Sequence, residues 1–209
     1  MWILFYSYNF LIDILFPKYC FVCKKSGNTI CKTCLLNFPQ AVNTPSSFIY
    51  PYFSYKDEKV KKIMRAIKYY HRKDLILPLV ESTISENLKL KKENCILVPI
   101  PMHNFRKIIR GYNQAEIISK KYSQILNIPY ATNILYRTKF TSRQVKSKNK
   151  SERIKNQKGS FEIKNFNDVQ NKTIILIDDV TTTGATINEA RKVFLENDFK
   201  KVIAITLAH

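Results

Sequence analysis

Glycine is scarce in this chain: four in 209 residues, with eight prolines and a single tryptophan. So little Gly and Pro, beside 45% hydrophobic residues, argues for a packed globular protein and against a disordered one. The shortage also excludes two common phosphate-binding signatures. A dinucleotide fingerprint needs three spaced glycines, and a Walker loop needs a Gly-Lys-Ser/Thr ending; neither is present. Acidic residues are scarce too, 16 against 35 Lys and Arg, for a formal net charge of +19. That balance implies attraction to polyanions such as nucleic acid or an anionic membrane face, with a Lys-rich idle surface as the plainer alternative.

No stretch reaches the roughly 20 consecutive apolar residues of a membrane-spanning helix. Met1 to Phe16 is apolar but has no basic leader, carries Asp13, and runs into Pro17 rather than a small-residue cleavage site. The expectation is an amphipathic helix packed on the domain or on a partner, with no transmembrane segment, in a cytoplasmic protein.

Four of the five cysteines fall in one short run, Cys20-x-x-Cys23 followed by Cys31-x-x-Cys34. Each CxxC pair turns two thiolates toward one centre, and two such knuckles complete a tetrahedral site. Zinc is the default for four thiolates, although iron suits the same geometry. A closed four-thiolate shell leaves no open position, so the metal would be structural and would supply much of the folding energy of so short a segment. Disulfides or redox thiols are the alternatives, and disulfides conflict with a cytoplasmic chain. Cys95 stands apart and reads as a buried strand residue.

The run Asn43 to Ser47 suggests a hinge, dividing a knuckle domain (1–42) from a main domain (43–209). Beyond it, Phe48 to Tyr55 is β-prone, Asp57 to Tyr70 has a helical stripe of Val60, Ile63, Met64 and Ile67, and a second helix is expected between Lys73 and Lys91. Strand and helix then alternate: strand at Cys95–Ile100, helix at Gln114–Leu126 with Ala115, Ile118, Tyr122 and Ile125 inward, strand near Tyr130–Tyr136, strand at Thr173–Ile177, helix at Ile187–Glu196 and strand at Val202–Leu207. This rhythm predicts an α/β fold, a parallel sheet flanked by helices, with ligands bound beyond the carboxyl ends of the strands.

The richest segment is Ile174-Ile-Leu-Ile-Asp178-Asp179-Val180-Thr181-Thr182-Thr183-Gly184-Ala185-Thr186-Ile187. An apolar strand ends in two carboxylates, and a hydroxyl-rich loop with one Gly opens a helix. Such a loop offers unpaired backbone N–H groups and the positive end of a helix dipole to a phosphate. Gly184 permits a positive φ or a close backbone approach, and the threonines add hydroxyl donors. The carboxylates can accept hydrogen bonds from ribose hydroxyls, so the segment reads a sugar phosphate. The alternative is a plain helix cap beside a solvated acidic turn.

This run resembles the phosphoribosyl pyrophosphate (PRPP) motif of type I phosphoribosyltransferases, and the whole chain from about Leu11 resembles the ComF branch (competence protein F, amidophosphoribosyltransferase-like). The resemblance rests also on the double CxxC, Ile67-Lys68-Tyr69, Val98-Pro99-Ile100-Pro101, Arg106, and Arg110-Gly-Tyr-Asn-Gln114. Arg137-Thr138, Gln144, Arg153, Asn156 and Gly159-Ser-Phe161 add to it. It implies a type I phosphoribosyltransferase-like fold with Asp178 and Asp179 on the ribose hydroxyls, Thr181, Thr182, Thr183, Gly184, Ala185 and Thr186 around the 5′-phosphate, and Val180 also among the PRPP-binding residues. Pro99, Pro101, Arg106 and Arg110 would face pyrophosphate, and magnesium would accompany PRPP. Ala185 departs from a glycine frequent in the superfamily, a small-for-small change.

A basic stretch, Arg137 to Lys158, would close over the site or track a DNA backbone; His103, Arg106, Lys107 and Arg110 form a second basic group near it. Two functions lead, ahead of an interaction scaffold built on the apolar N-terminal helix and the zinc knuckle. One is a PRPP-binding protein of DNA uptake and natural transformation, associated with single-stranded DNA or with uptake and recombination proteins. The other is an active phosphoribosyltransferase passing ribose 5-phosphate to an unidentified acceptor. The sequence leaves the presence of catalysis open.

Overall fold

The computed structural model describes residues 17–84, 94–138 and 159–209. The N-terminal helix expected at Met1–Phe16, the end of the helix expected to reach Lys91, and all of the basic stretch after Thr138 up to Lys158 lie outside them. The chain divides after Phe38 into two compact units, which places Asn43–Ser47 within the larger one.

In the smaller unit, Tyr19 bridges Ser26 and the Phe21 N–H donates to Thr29 O at 2.9 Å, closing a tight loop that the positive φ of Lys24 and Gly27 makes feasible. Helix α1 (Lys32–Leu36) follows.

The larger unit is built on four parallel strands in the order β1–β6–β5–β2: β1 (Ile49–Phe53), β2 (Cys95–Pro99), β5 (Thr173–Val180) and β6 (Val202–Ala208). Ile177 of β5 pairs with Ile205 of β6 on one side and Pro99 of β2 on the other, which fixes the register. Pro51 sits in β1, an edge strand, where a missing N–H is tolerated. Strands β2 and β5 are near-continuous apolar runs because helices cover both faces. On one face Ile174, Leu176 and Val98 pack with Ile187, Ala190 and Phe194 of α6 (Ala185–Leu195). On the other lies α5 (Gln114–Leu126), itself packed on α3 (Ile76–Ile84), with the buried Tyr122 phenol 2.7 Å from Thr83 Oγ1. Helix α2 (Glu58–Tyr69) starts at Asp57, whose Oδ1 accepts from the N–H groups of Lys59 and Val60.

Two expectations need correction, and one element is additional. The stripe of α5 runs through Ala115, Ile118, Tyr122 and Leu126, leaving Ile125 40% exposed, because 3.6-residue spacing carries the buried face to position 126. The strand expected near Tyr130–Tyr136 is a single bridge at Tyr130, beside Leu97, and then a short β3 (Leu135–Arg137). That strand pairs antiparallel with β4 (Phe161–Ile163) in a separate ribbon. Finally, a further helix, α4 (Asn104–Arg110), occupies the connection after β2.

Candidate functional site

Strand β5 is apolar up to Ile177 because it runs through the middle of the sheet; its polar end begins where β2 stops pairing with it, while Asp178 and Val180 still pair with Thr206 and Ala208 of β6. Asp178 follows, half-buried, then Asp179, buried. The turn is organised by the carboxylates themselves. Asp178 Oδ1 accepts from the Asp179 N–H at 2.8 Å, and Asp179 Oδ1 accepts from the Val180 N–H at 2.6 Å. Asp179 Oδ2 lies 3.1 Å from Lys68 Nζ, on the last turn of α2. Burial, reinforced by the neighbouring Asp179 charge, raises the Asp178 carboxyl to about 7, against opposing pulls from the Asp179 N–H, Lys68 and Arg137.

The loop that follows joins β5 to α6. Thr181 is buried, its N–H donating to Ala208 O at 3.0 Å. Thr183 Oγ1 accepts from the Ala185 N–H at 3.3 Å, and Thr182 is exposed. Gly184 takes φ +74°, and a β-carbon there would come within 3.3 Å of Pro45, Ile49 and Asn188, so both conformation and space require glycine. The N-terminus of α6 is thereby brought beside the acidic pair, Thr186 sharing a cavity wall with Asp178 and Asp179.

Facing the acids is the connection between β2 and α5, whose Arg110-Gly-Tyr-Asn-Gln114 sequence has a local reason at each position. Gly111, at φ +71°, ends α4, and its N–H donates to Lys107 O at 2.7 Å. The Tyr112 hydroxyl donates to Ile67 O, tying the connection to the last turn of α2. Asn113 caps α5 through Oδ1, which accepts from the Ala115 N–H, while its Nδ2 donates to Ile100 O at 3.1 Å.

A cavity of about 140 Å³ lies between these elements. It is lined by Asp178, Asp179 and Thr186 on one side and by Pro101, Arg106 and Arg110 on the other, with Lys68 and Arg137 also on its wall. Pro99 instead lines a neighbouring cavity of about 280 Å³ with Pro101, Lys107, Tyr136 and Arg137. Val180 to Ala185 form the loop beside the first cavity and do not line it. Two contributors, named in the sequence only within a family motif or a basic stretch and given no individual role there, also line the site. Lys68 follows Met64 by four residues and so falls on the buried stripe of α2, a signal that a lysine there has a partner. Arg137 ends β3, its guanidinium 5.1 Å from the Phe161 ring, and burial lowers its pKa.

In the smaller unit the sulfurs of Cys20, Cys23, Cys31 and Cys34 all lie within 4.8 Å of one another, and none forms a disulfide. Cys23 and Cys31 sulfurs are 3.6 Å apart, close to the roughly 3.8 Å edge of a tetrahedron with 2.3 Å metal–sulfur bonds. The Cys31 N–H donates to Cys20 Sγ at 3.4 Å. Against the cost of burial, the N–H groups of Cys23, Cys31 and Val22 lower Cys20 to about 6, whereas burial and the adjoining thiols raise Cys34 to about 12. These four cysteines could hold a metal ion. Among the described residues no helix is long and apolar enough to cross a membrane.

Comparison with known proteins gives a consistent set of likenesses. Residues 113–209 match the phosphoribosyl transferase domain family. The chain is 35% identical over 121 residues to competence protein F of Haemophilus influenzae, covering 56% of this chain and 50% of that protein. It is 31% identical over 188 residues to competence protein ComFC of Streptococcus pneumoniae, covering 88% of this chain and 77% of that one. The DNA utilization protein YhgH of Escherichia coli O157:H7 is 24% identical over 140 residues, 65% of this chain and 60% of the relative. The chain thus spans half the length of the Haemophilus protein and about three quarters of the pneumococcal one.

Proposed function

The chain belongs to the ComF family of competence proteins with a phosphoribosyltransferase domain, and from that membership we propose that it binds PRPP and acts in DNA uptake. The observation that carries the ligand assignment is the cavity that sets two carboxylates and Thr186, on the first turn of α6, against Lys68, Arg106, Arg110 and Arg137. Carboxylates suit the hydroxyls of a ribose, the loop N–H groups suit a 5′-phosphate, and Arg106 and Arg110 suit pyrophosphate. Magnesium, when bound with PRPP, neutralises pyrophosphate oxygens. Pro101 and Pro99 stiffen the β2 end of the pyrophosphate side, and Asn113 holds that connection to the strand.

The role in DNA uptake is supported by the names of the relatives and by the +19 charge. Single-stranded DNA, or proteins that handle it in uptake and recombination, would be met in the cytoplasm, and contact through phosphates would weaken steeply with salt. In the smaller unit zinc is the metal the four thiolates suit best, in a structural site with no open position.

A second function, transfer of ribose 5-phosphate to an acceptor, is favoured by the cations at the pyrophosphate side, which would stabilise the departing group as charge builds on the sugar. The same cavity serves either.

The test has two arms. With PRPP and Mg²⁺ at about a hundred times Kd, the melting point should rise by roughly 5–10 °C, and Asp178→Asn with Asp179→Asn should remove the rise. No rise in the wild type would sink the ligand assignment; a rise without pyrophosphate release across nucleobases and amines would decide for binding over catalysis. In the second arm the protein should retard single-stranded DNA at low salt, and failure to do so would remove the physical basis of DNA contact.

A further inference from the structure

Asp178 and Asp179 are neighbours in sequence with unlike surroundings. Asp179 spends both carboxylate oxygens inside the protein, Oδ1 on the Val180 N–H and Oδ2 on the Lys68 ammonium. The pair is largely enclosed: the Lys68 side chain is 17% exposed and that of Asp179 10%. Asp178 uses Oδ1 on the Asp179 N–H, and among the described residues its Oδ2 makes no hydrogen bond while the side chain lines the cavity. The two acids therefore have different capacities. One has an oxygen to offer a hydroxyl; the other is engaged unless Lys68 lets go.

Lys68 is itself held. It stands beside Ile67, whose carbonyl accepts from the buried Tyr112 hydroxyl. The same Tyr112 ring carries the Lys73 ammonium 4.3 Å from its centre. The last turn of α2 is thus pinned to the β2–α5 connection, and the ammonium is delivered to Asp179 from a fixed backbone.

We propose that Lys68 is a positioning residue of the sugar subsite: by fixing Asp179 across the α2–β5 gap, it leaves Asp178 as the carboxylate that receives the ribose hydroxyls. This rests on the sugar-phosphate assignment above. Lys68 acts through Asp179, so its loss frees a second carboxylate to swing and to repel Asp178, disordering the sugar end while leaving the pyrophosphate end with Arg106 and Arg110.

The test compares PRPP, ribose 5-phosphate and inorganic pyrophosphate, each with Mg²⁺, by calorimetry on the full chain. Lys68→Met should weaken PRPP and ribose 5-phosphate at least tenfold and leave pyrophosphate within about threefold. Lys68→Arg, which keeps a cation of similar reach, should restore the sugar ligands to within about threefold of wild type, a rescue that a loss of packing alone would not give. If Lys68→Met does not fold, Lys68→Arg and Lys68→Gln carry the comparison, the first retaining sugar ligands and the second losing them. Equal weakening of all three ligands, or none, would overturn the inference while leaving PRPP binding intact. A wild type that binds no PRPP would overturn the sugar-phosphate assignment and this inference with it.

Discussion

Asp178→Asn should stabilise the unliganded protein at neutral to alkaline pH while destroying its response to PRPP. A carboxyl that ordinarily loses its proton near 3.8 holds it to about 7 here, because burial and the Asp179 charge disfavour the anion. A carboxyl raised on folding contributes stability that is complete below its unfolded value and is lost as pH rises through its folded one. The relevant window therefore runs from about pH 4 to pH 7, and above it the wild type carries the whole cost. At 1.36 kcal/mol per pKa unit the ceiling is roughly 4 kcal/mol. Solvent access to the half-buried side chain brings the expectation down to roughly 1–2 kcal/mol. For a chain of this size that is a rise of roughly 3–8 °C in melting point. Melting curves of both proteins without Mg²⁺ or phosphate, from pH 4 to 9, would measure it. The gap should be small at pH 4, widen to pH 7 and then level. A gap that does not change with pH, or an Asn variant less stable than wild type at pH 8, would refute the reasoning. Confirmation would make Asp178 a residue kept at a cost to stability for the ligand it receives.

Two further outcomes are expected. Gly184→Ala should lower the melting point by roughly 3–8 °C, since the left-handed conformation costs a non-glycine residue about 1–2 kcal/mol and the new β-carbon meets Asn188, Ile49 and Pro45 at 3.1–3.3 Å. An unchanged melting point would mean that the loop relaxes freely. Cys34→Ser should remove bound metal, read by atomic emission on the purified chain, yet keep the PRPP-induced melting shift, because the cysteines lie in the other compact unit; loss of that shift would contradict this independence.

Much of this was visible in the residues, and what was hidden has physical causes. Strands β2, β5 and β6 announce themselves because burial on both faces demands uninterrupted apolar runs. The four cysteines and the Asp178–Gly184 turn are legible because their spacing is itself the chemistry. Helix α4 was not foreseen: none of its residues is buried, and Phe105, Ile108 and Ile109 point outward, so no periodic stripe marks it. Strands β3 and β4, three residues each, are too short to show alternation, and only their mutual pairing defines them. The partner of Lys68 is hidden for another reason. A lysine in a helix is ordinarily solvated, and its partner, Asp179, stands far away in sequence.

The strand order carries a consequence for how the molecule is assembled. β6 lies between β1 and β5, so β1 has no place in the sheet until β6 has been made and inserted; Ile49 must wait for Ala204. During synthesis β2 and β5 can associate first, and the edge formed by β1 joins afterwards. Closing so long a loop is slow relative to local structure, as topologies dominated by distant contacts are. Ile49 and Pro45 are also the neighbours that enclose Gly184. The phosphate loop is therefore held in shape by a segment that can dock only once β6 is in the sheet, and ligand-binding competence should follow the docking of β1.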